Sequence, residues 1–164
     1  MQFKDTGLGF GLVTLVAHWV GAALMIGFVV TSISAALLAP VEQSARFALA
    51  LSFGYFCIPL YLFRMFWRFK HPYPMPLGAA SPAQVLIGRG IAFGMLLAGV
   101  TLPVLLWAML TTTGFAATVF SALFWLGLVA FSLGMLLHLF GAFSHHVLQK
   151  DETLLRLLGK NVEL

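Results

Sequence analysis

Charge is what this chain has least of. Its 164 residues include nine Lys or Arg and five Asp or Glu, 9% in all, where a soluble domain carries about 25%. A soluble surface of ordinary composition cannot be built from that. Cysteine is scarcer still: the single Cys57 excludes any disulfide within the chain and any CxxC redox or zinc pair, and it leaves the redox compartment open. There is no glycine-rich phosphate loop, no internal repeat and no low-complexity segment. Nor is there a polar stretch long enough for a separate soluble domain. A formal charge of +4 would hint at nucleic acid in a soluble protein. With 61% hydrophobic residues and a mean hydropathy of +1.00, the charge reports orientation in a membrane instead, and no nucleic-acid partner is expected.

What the chain does have is apolar length. Crossing roughly 30 Å of hydrocarbon takes about 20 helical residues, and four runs suffice: about 8–38, 47–69, 85–110 and 115–148. The expected fold class is therefore all-α, an integral membrane four-helix bundle forming one domain over residues 1–164. The first run is too long for the h-region of a signal peptide, and cleavage after Ala39 would discard His18, so it reads as a retained helix. Ser81-Pro82 has the form of a helix cap with proline in the first turn, which starts the third helix at 82. Asp5 or Thr6 could start the first. Gly88, Gly90, Gly94 and Gly99 suit close helix packing in lipid. Pro59 and Pro103 are candidate kinks. KHPYPMPLGAASPAQ, between the second and third helices, is too proline-rich to be helical and should run extended. Arg64, Arg68, Lys70, His71 and Arg89 crowd around it, whereas the segment 111–117 has no charge. The positive-inside rule then puts both termini and this loop in the cytoplasm.

Two histidines lie inside long apolar runs. His18 falls on a helical stripe of Gly11, Thr14, Gly21, Ala22 and Met25, and His138 on a stripe with Gly141, Ala142 and His145. Small residues above and below an imidazole would admit a flat, bulky cofactor. At 1.5 Å per residue His18 lies roughly 20 Å from Lys4 and His138 roughly 18 Å from Lys150, so the two sit at similar depth on antiparallel helices. Ionisable groups inside a membrane are functional candidates by default, imidazole suits iron, and the pair suggests bis-imidazole haem ligation. The alternative for either histidine alone is a buried polar residue bonded to a neighbouring helix. Zinc would need further ligands that no acid or cysteine supplies.

DTGLGFGLVTLVAHW at the start, RMFWRFKHPYP after the second helix and LHLFGAFSHHVLQKDETLLRLLG at the end resemble the bacterial cytochrome b561 family from end to end. These are four-helix di-haem cytochromes that exchange electrons with quinone. The resemblance implies that His18 and His138 ligate the cytoplasmic-side haem. It places the ligands of a second, periplasmic haem at Ala50 and Phe124, neither of which binds iron, and no histidine occurs between Trp19 and Lys70 or between Pro72 and Leu137. One haem b per chain is therefore expected, with ubiquinone as a further candidate ligand. His145 would lie near the quinone or haem edge as a protonatable donor, against the alternative of an ordinarily solvated interfacial pair with His146. Arg64 and Arg68, one turn apart, would pair with haem propionates, or else snorkel at the end of a membrane helix. His71 and the four tryptophans are given no redox role.

The function these readings imply is electron transfer by a membrane haem b in a bacterial inner (cytoplasmic) membrane, in exchange with quinone or a respiratory partner on the cytoplasmic side. A quinone-linked oxidoreductase is one form of it. Two other readings share the same residues. One is an accessory or structural subunit of a larger respiratory complex that retains a haem without turnover. The other is the membrane-anchor cytochrome of a dehydrogenase or hydrogenase.

Overall fold

The computed structural model describes residues 3–6, 9–71 and 81–148, without the side chains of His145, His146 and Leu148. The proline-rich loop at 72–80 and the tail from 149, with its D-x2-LLR pattern, lie outside the described residues. Four helices follow one another: α1 Leu12–Ala36, α2 Pro40–Lys70, α3 Pro82–Thr111 and α4 Gly114–Leu148. Each is long and apolar enough to cross a membrane. Their outward faces carry large apolar side chains such as Val16, Ile26, Phe56, Leu97 and Leu126, as lipid contact requires.

The helix ends depart from the hydropathy runs where local chemistry decides them. α2 starts at Pro40 rather than near 47. Ala39 is extended (φ −61°, ψ 151°), Pro40 opens the first turn with a nitrogen that has no proton to lose, and Glu42 faces the positive end of the helix dipole. The polar residues 42–46 are helical all the same, because hydropathy marks the part in lipid and not the whole helix. Across the short link, the Gln43 side chain donates to the Ala35 carbonyl at 3.1 Å and helps close α1. α1 itself starts at Leu12, later than Asp5 or Thr6. The Phe3 carbonyl accepts the Val13 amide at 3.4 Å, so the lead folds back over the helix start. α3 opens on a reciprocal cap: the Ser81 amide donates to Gln84 Oε1 at 2.8 Å and the Gln84 amide to Ser81 Oγ at 3.3 Å. α3 and α4 are joined through Thr112 and Thr113, with Gly114 at φ +63° making the turn that a side chain would strain.

Packing follows chain order, α1 on α2, α2 on α3 and α3 on α4, and the other helix pairs approach each other much less. The core fills the half of the bundle around the α1–α2 and α3–α4 links. Phe28 meets Phe124 edge to face at 6.3 Å, Phe47 reaches Trp125 at 6.5 Å, and Ala50, Cys57, Leu102 and Leu106 are fully or almost fully buried among them. Close approach is bought by glycine at particular points only. A Cβ on Gly54 would stand 2.8 Å from Pro103, and one on Gly99 would overlap the Tyr61 ring. Gly88, Gly90 and Gly94 behave otherwise than expected: among the described residues nothing lies within 4 Å of where their side chains would be.

Candidate functional site

The opposite half is polar. Here the stripe on α1 meets the last turns of α2 rung by rung. The Asp5 carboxylate accepts from the Gly11 amide (2.7 Å) and from the Thr14 hydroxyl (2.9 Å), and its second oxygen lies 3.6 Å from Arg68 Nη1. Thr14 Oγ1 accepts from the Trp67 indole at 3.0 Å. His18 Nδ1 lies 3.3 Å from Arg64 Nη2, and the Gly21 carbonyl accepts from the Tyr61 hydroxyl at 3.1 Å. Thr14, His18 and Gly21 thus each meet a polar group of the facing helix, while the buried Arg68 Nη1 has the Asp5 carboxylate as an ion-pair partner beyond hydrogen-bond distance.

This corrects one expectation. The small residues of the α1 stripe admit α2, not a flat cofactor: a Cβ at Gly21 would stand 2.8 Å from Arg64 Nη1 and 3.4 Å from the Tyr61 ring. Periodicity shows that residues share a face without showing which neighbour that face meets. On α4 the stripe is open, and nothing lies within 4 Å of a Cβ placed at Gly141.

His18 and His138 nevertheless come together. Their ring centroids are 6.5 Å apart with planes inclined at 48°, between α1 and α4. An imidazole nitrogen binds a first-row metal ion at about 2.0–2.1 Å and lies about 1.1 Å from its ring centroid, so two imidazoles sharing one ion have centroids about 6.3 Å apart. The observed interval leaves room for a shared ion, and both rings are only half-buried. Among the described residues no group of three or more His, Cys, Asp or Glu side chains could hold a bare metal ion. A porphyrin brings four nitrogens of its own and asks the protein for two, so the donor set fits haem.

The other predicted residues divide. Arg64 stands at the pair, with its guanidinium 4.9 Å over the Tyr61 ring and in contact with His18. Arg68 does not: it pairs with Asp5 and lies 5.7 Å from the Phe10 ring. His145 falls in α4 two turns beyond His138, and its side chain lies outside the described set. His71, expected to be bland, stacks on Trp67 at 3.9 Å and contacts the Trp67 carbonyl at 3.2 Å. Ala50 and Phe124 are both wholly buried in the aromatic core. Sequence reasoning missed Asp5, Thr14 and Tyr61. The one available signal was an acid followed by Gly9 and Gly11 before an apolar run, a lead able to fold back and bury its carboxylate.

The sequence profile described as prokaryotic cytochrome b561 matches residues 9–160. The chain is also similar to cytochrome b561 homolog 2 of Escherichia coli (strain K12), 29% identical over 183 residues that cover 98% of this chain and 97% of that protein.

Proposed function

The chain belongs to the prokaryotic cytochrome b561 family, multi-pass bacterial membrane proteins that transfer electrons through haem b, and we propose that it carries one haem, held by His18 and His138. The observation that carries this reading is the 6.5 Å interval between the two rings. The haem iron supplies the one-electron chemistry. The protein holds the two imidazoles in register on α1 and α4 and excludes water with the apolar walls around them. Arg64 has a further part. A guanidinium only donates, so its contact with His18 Nδ1 requires that nitrogen to be unprotonated, with the ring proton on Nε2. With Nε2 as the ligating nitrogen the ring proton would sit on Nδ1, facing Arg64, and a haem carboxylate would be an acceptor that Arg64 could use in place of His18.

Electrons enter and leave, in this reading, at the end of the bundle that carries His18, Arg64 and His71. Ubiquinone or a respiratory partner is the exchange partner, with His145 as the proton donor nearby. Counting Lys and Arg puts that end and both termini on the cytoplasmic side of the inner membrane. Oriented liposomes with a membrane-impermeant reductant on one side at a time test it. Fast reduction is expected only from the face bearing the His18 end, and equal rates from both faces would overturn the one-sided scheme.

The packed aromatic half favours a second reading. With Ala50 and Phe124 buried in a filled core, a transmembrane relay lacks a stepping stone across about 30 Å. This suits an accessory subunit of a larger oxidase or dehydrogenase, or the membrane anchor of a dehydrogenase or hydrogenase. Purification in mild detergent separates the two: co-purification with a large complex favours the subunit, and a lone chain oxidised by ubiquinone favours the independent carrier.

A further inference from the structure

Asp5 lies in the short lead before α1, yet its side chain is 0% exposed, and the Arg68 side chain that it pairs with is 21% exposed. A carboxylate does not stay buried and charged without compensation. Here the Gly11 amide, the Thr14 hydroxyl and Arg68 supply it together. Thr14 is one helical turn from His18, roughly 6 Å along the axis, and Arg68 is one turn from Arg64 on the facing helix. Two arginines therefore stand at the haem end, and they are in different states. Arg64 touches a candidate ligand, while Arg68 is held by an acid from the folded-back lead.

We propose that Asp5 is a positioning residue that straps Arg68 to the first turn of α1 and offsets its charge at the haem end of the bundle. The inference rests on the haem site proposed above. The strap has two consequences. It fixes the N-terminal lead over the His18 end of the bundle, and it makes the field at the iron depend on a matched pair of charges whose members act in opposite directions. Reduced haem iron carries one positive charge less than oxidised iron. An uncompensated guanidinium nearby favours reduction, and an uncompensated carboxylate opposes it.

The test is a spectroelectrochemical titration of the full-length protein purified with haem, comparing wild type, Asp5→Asn, Arg68→Gln and the double variant. Asp5→Asn should raise the midpoint potential, Arg68→Gln should lower it, and the double variant should return towards wild type. Single variants that shift in the same direction, or that leave the potential in place with haem content intact, would overturn the proposal. A second arm needs no haem. Trypsin cleavage after Lys4 requires the lead to detach, so haem-free Arg68→Gln, which leaves the cleaved sequence unchanged, should be cut there several-fold faster than haem-free wild type, and equal rates would also overturn it. Arg68→Lys, which keeps the charge, should restore much of the protection if Arg68→Gln folds poorly, and its failure to do so counts against the strap. Wild type that binds no haem would sink the haem reading, while the trypsin arm would still decide the strap.

Discussion

At one end of the bundle the contacts between α1 and α2 are hydrogen bonds: Trp67 to Thr14, Arg64 to His18 and Tyr61 to Gly21. At the other they are rings and methyl groups, with Phe28 on Phe124, Phe47 on Trp125 and Pro103 against Gly54. Both ends are built from the same four apolar helices. In lipid, stability comes from close packing and from satisfied polar groups, and the two halves divide these tasks. The packed half holds the helices at fixed spacing. In the polar half two imidazoles, one from α1 and one from α4, face each other. A filled core at both ends would leave no room for a cofactor, and polarity at both ends would leave little to hold the seam apart.

The contrast can be broken most directly at the histidines. His18→Ala and His138→Ala should each abolish the low-spin haem spectrum of the purified protein, whereas His71→Ala, which removes only the ring stacked on Trp67, should leave it unchanged. A wild-type spectrum in both single variants would move the cofactor elsewhere. Haem stoichiometry comes next. A pyridine haemochrome assay should give one haem per chain, and a value of two would mean that the aromatic half opens to admit one. Phe124→Ala probes that half alone. Emptying a wholly buried site should cost about 3 kcal/mol in a denaturant titration in detergent and leave the haem spectrum intact. The smallest effects should separate two glycines of α3. Gly99→Ala, which drives a methyl into the Tyr61 ring, should cost about 1–3 kcal/mol. Gly90→Ala, which meets nothing, should stay within about 0.5 kcal/mol of wild type; a larger loss there would show that the start of α3 is covered.

Much of the architecture was legible because apolar length is a property of contiguous residues. Four runs gave four helices, and Ser81 followed by Pro82 located the start of α3 through chemistry confined to four positions. The meeting of His18 with His138 followed from counting rise per residue from charged ends. What depends on which helix faces which was not legible. The stripe around His18 was visible as a stripe, but its neighbour proved to be α2. Arg64 and Arg68 looked equivalent, one turn apart. Only the fold shows that Asp5, 63 positions from Arg68 in sequence, claims one of them. Gly99 does let Tyr61 approach, but Gly88, Gly90 and Gly94 meet no described residue, since a missing side chain permits close approach and does not supply the neighbour.

The connections between helices bear on how such a protein is made. α1 and α2 are joined by only Leu37, Leu38 and Ala39, and α3 and α4 by Thr112 and Thr113, so the chain is two hairpins in succession. His18 belongs to the first hairpin and His138 to the second, only 26 residues before the end of the chain. During synthesis the first imidazole is in the membrane well before the second has been translated. A cofactor gripped by both can be captured only after the last helix has entered the bilayer. In the proposed site, haem capture therefore reports that both hairpins are in the membrane and correctly mated, a checkpoint on biogenesis that a chain broken off before α4 cannot pass.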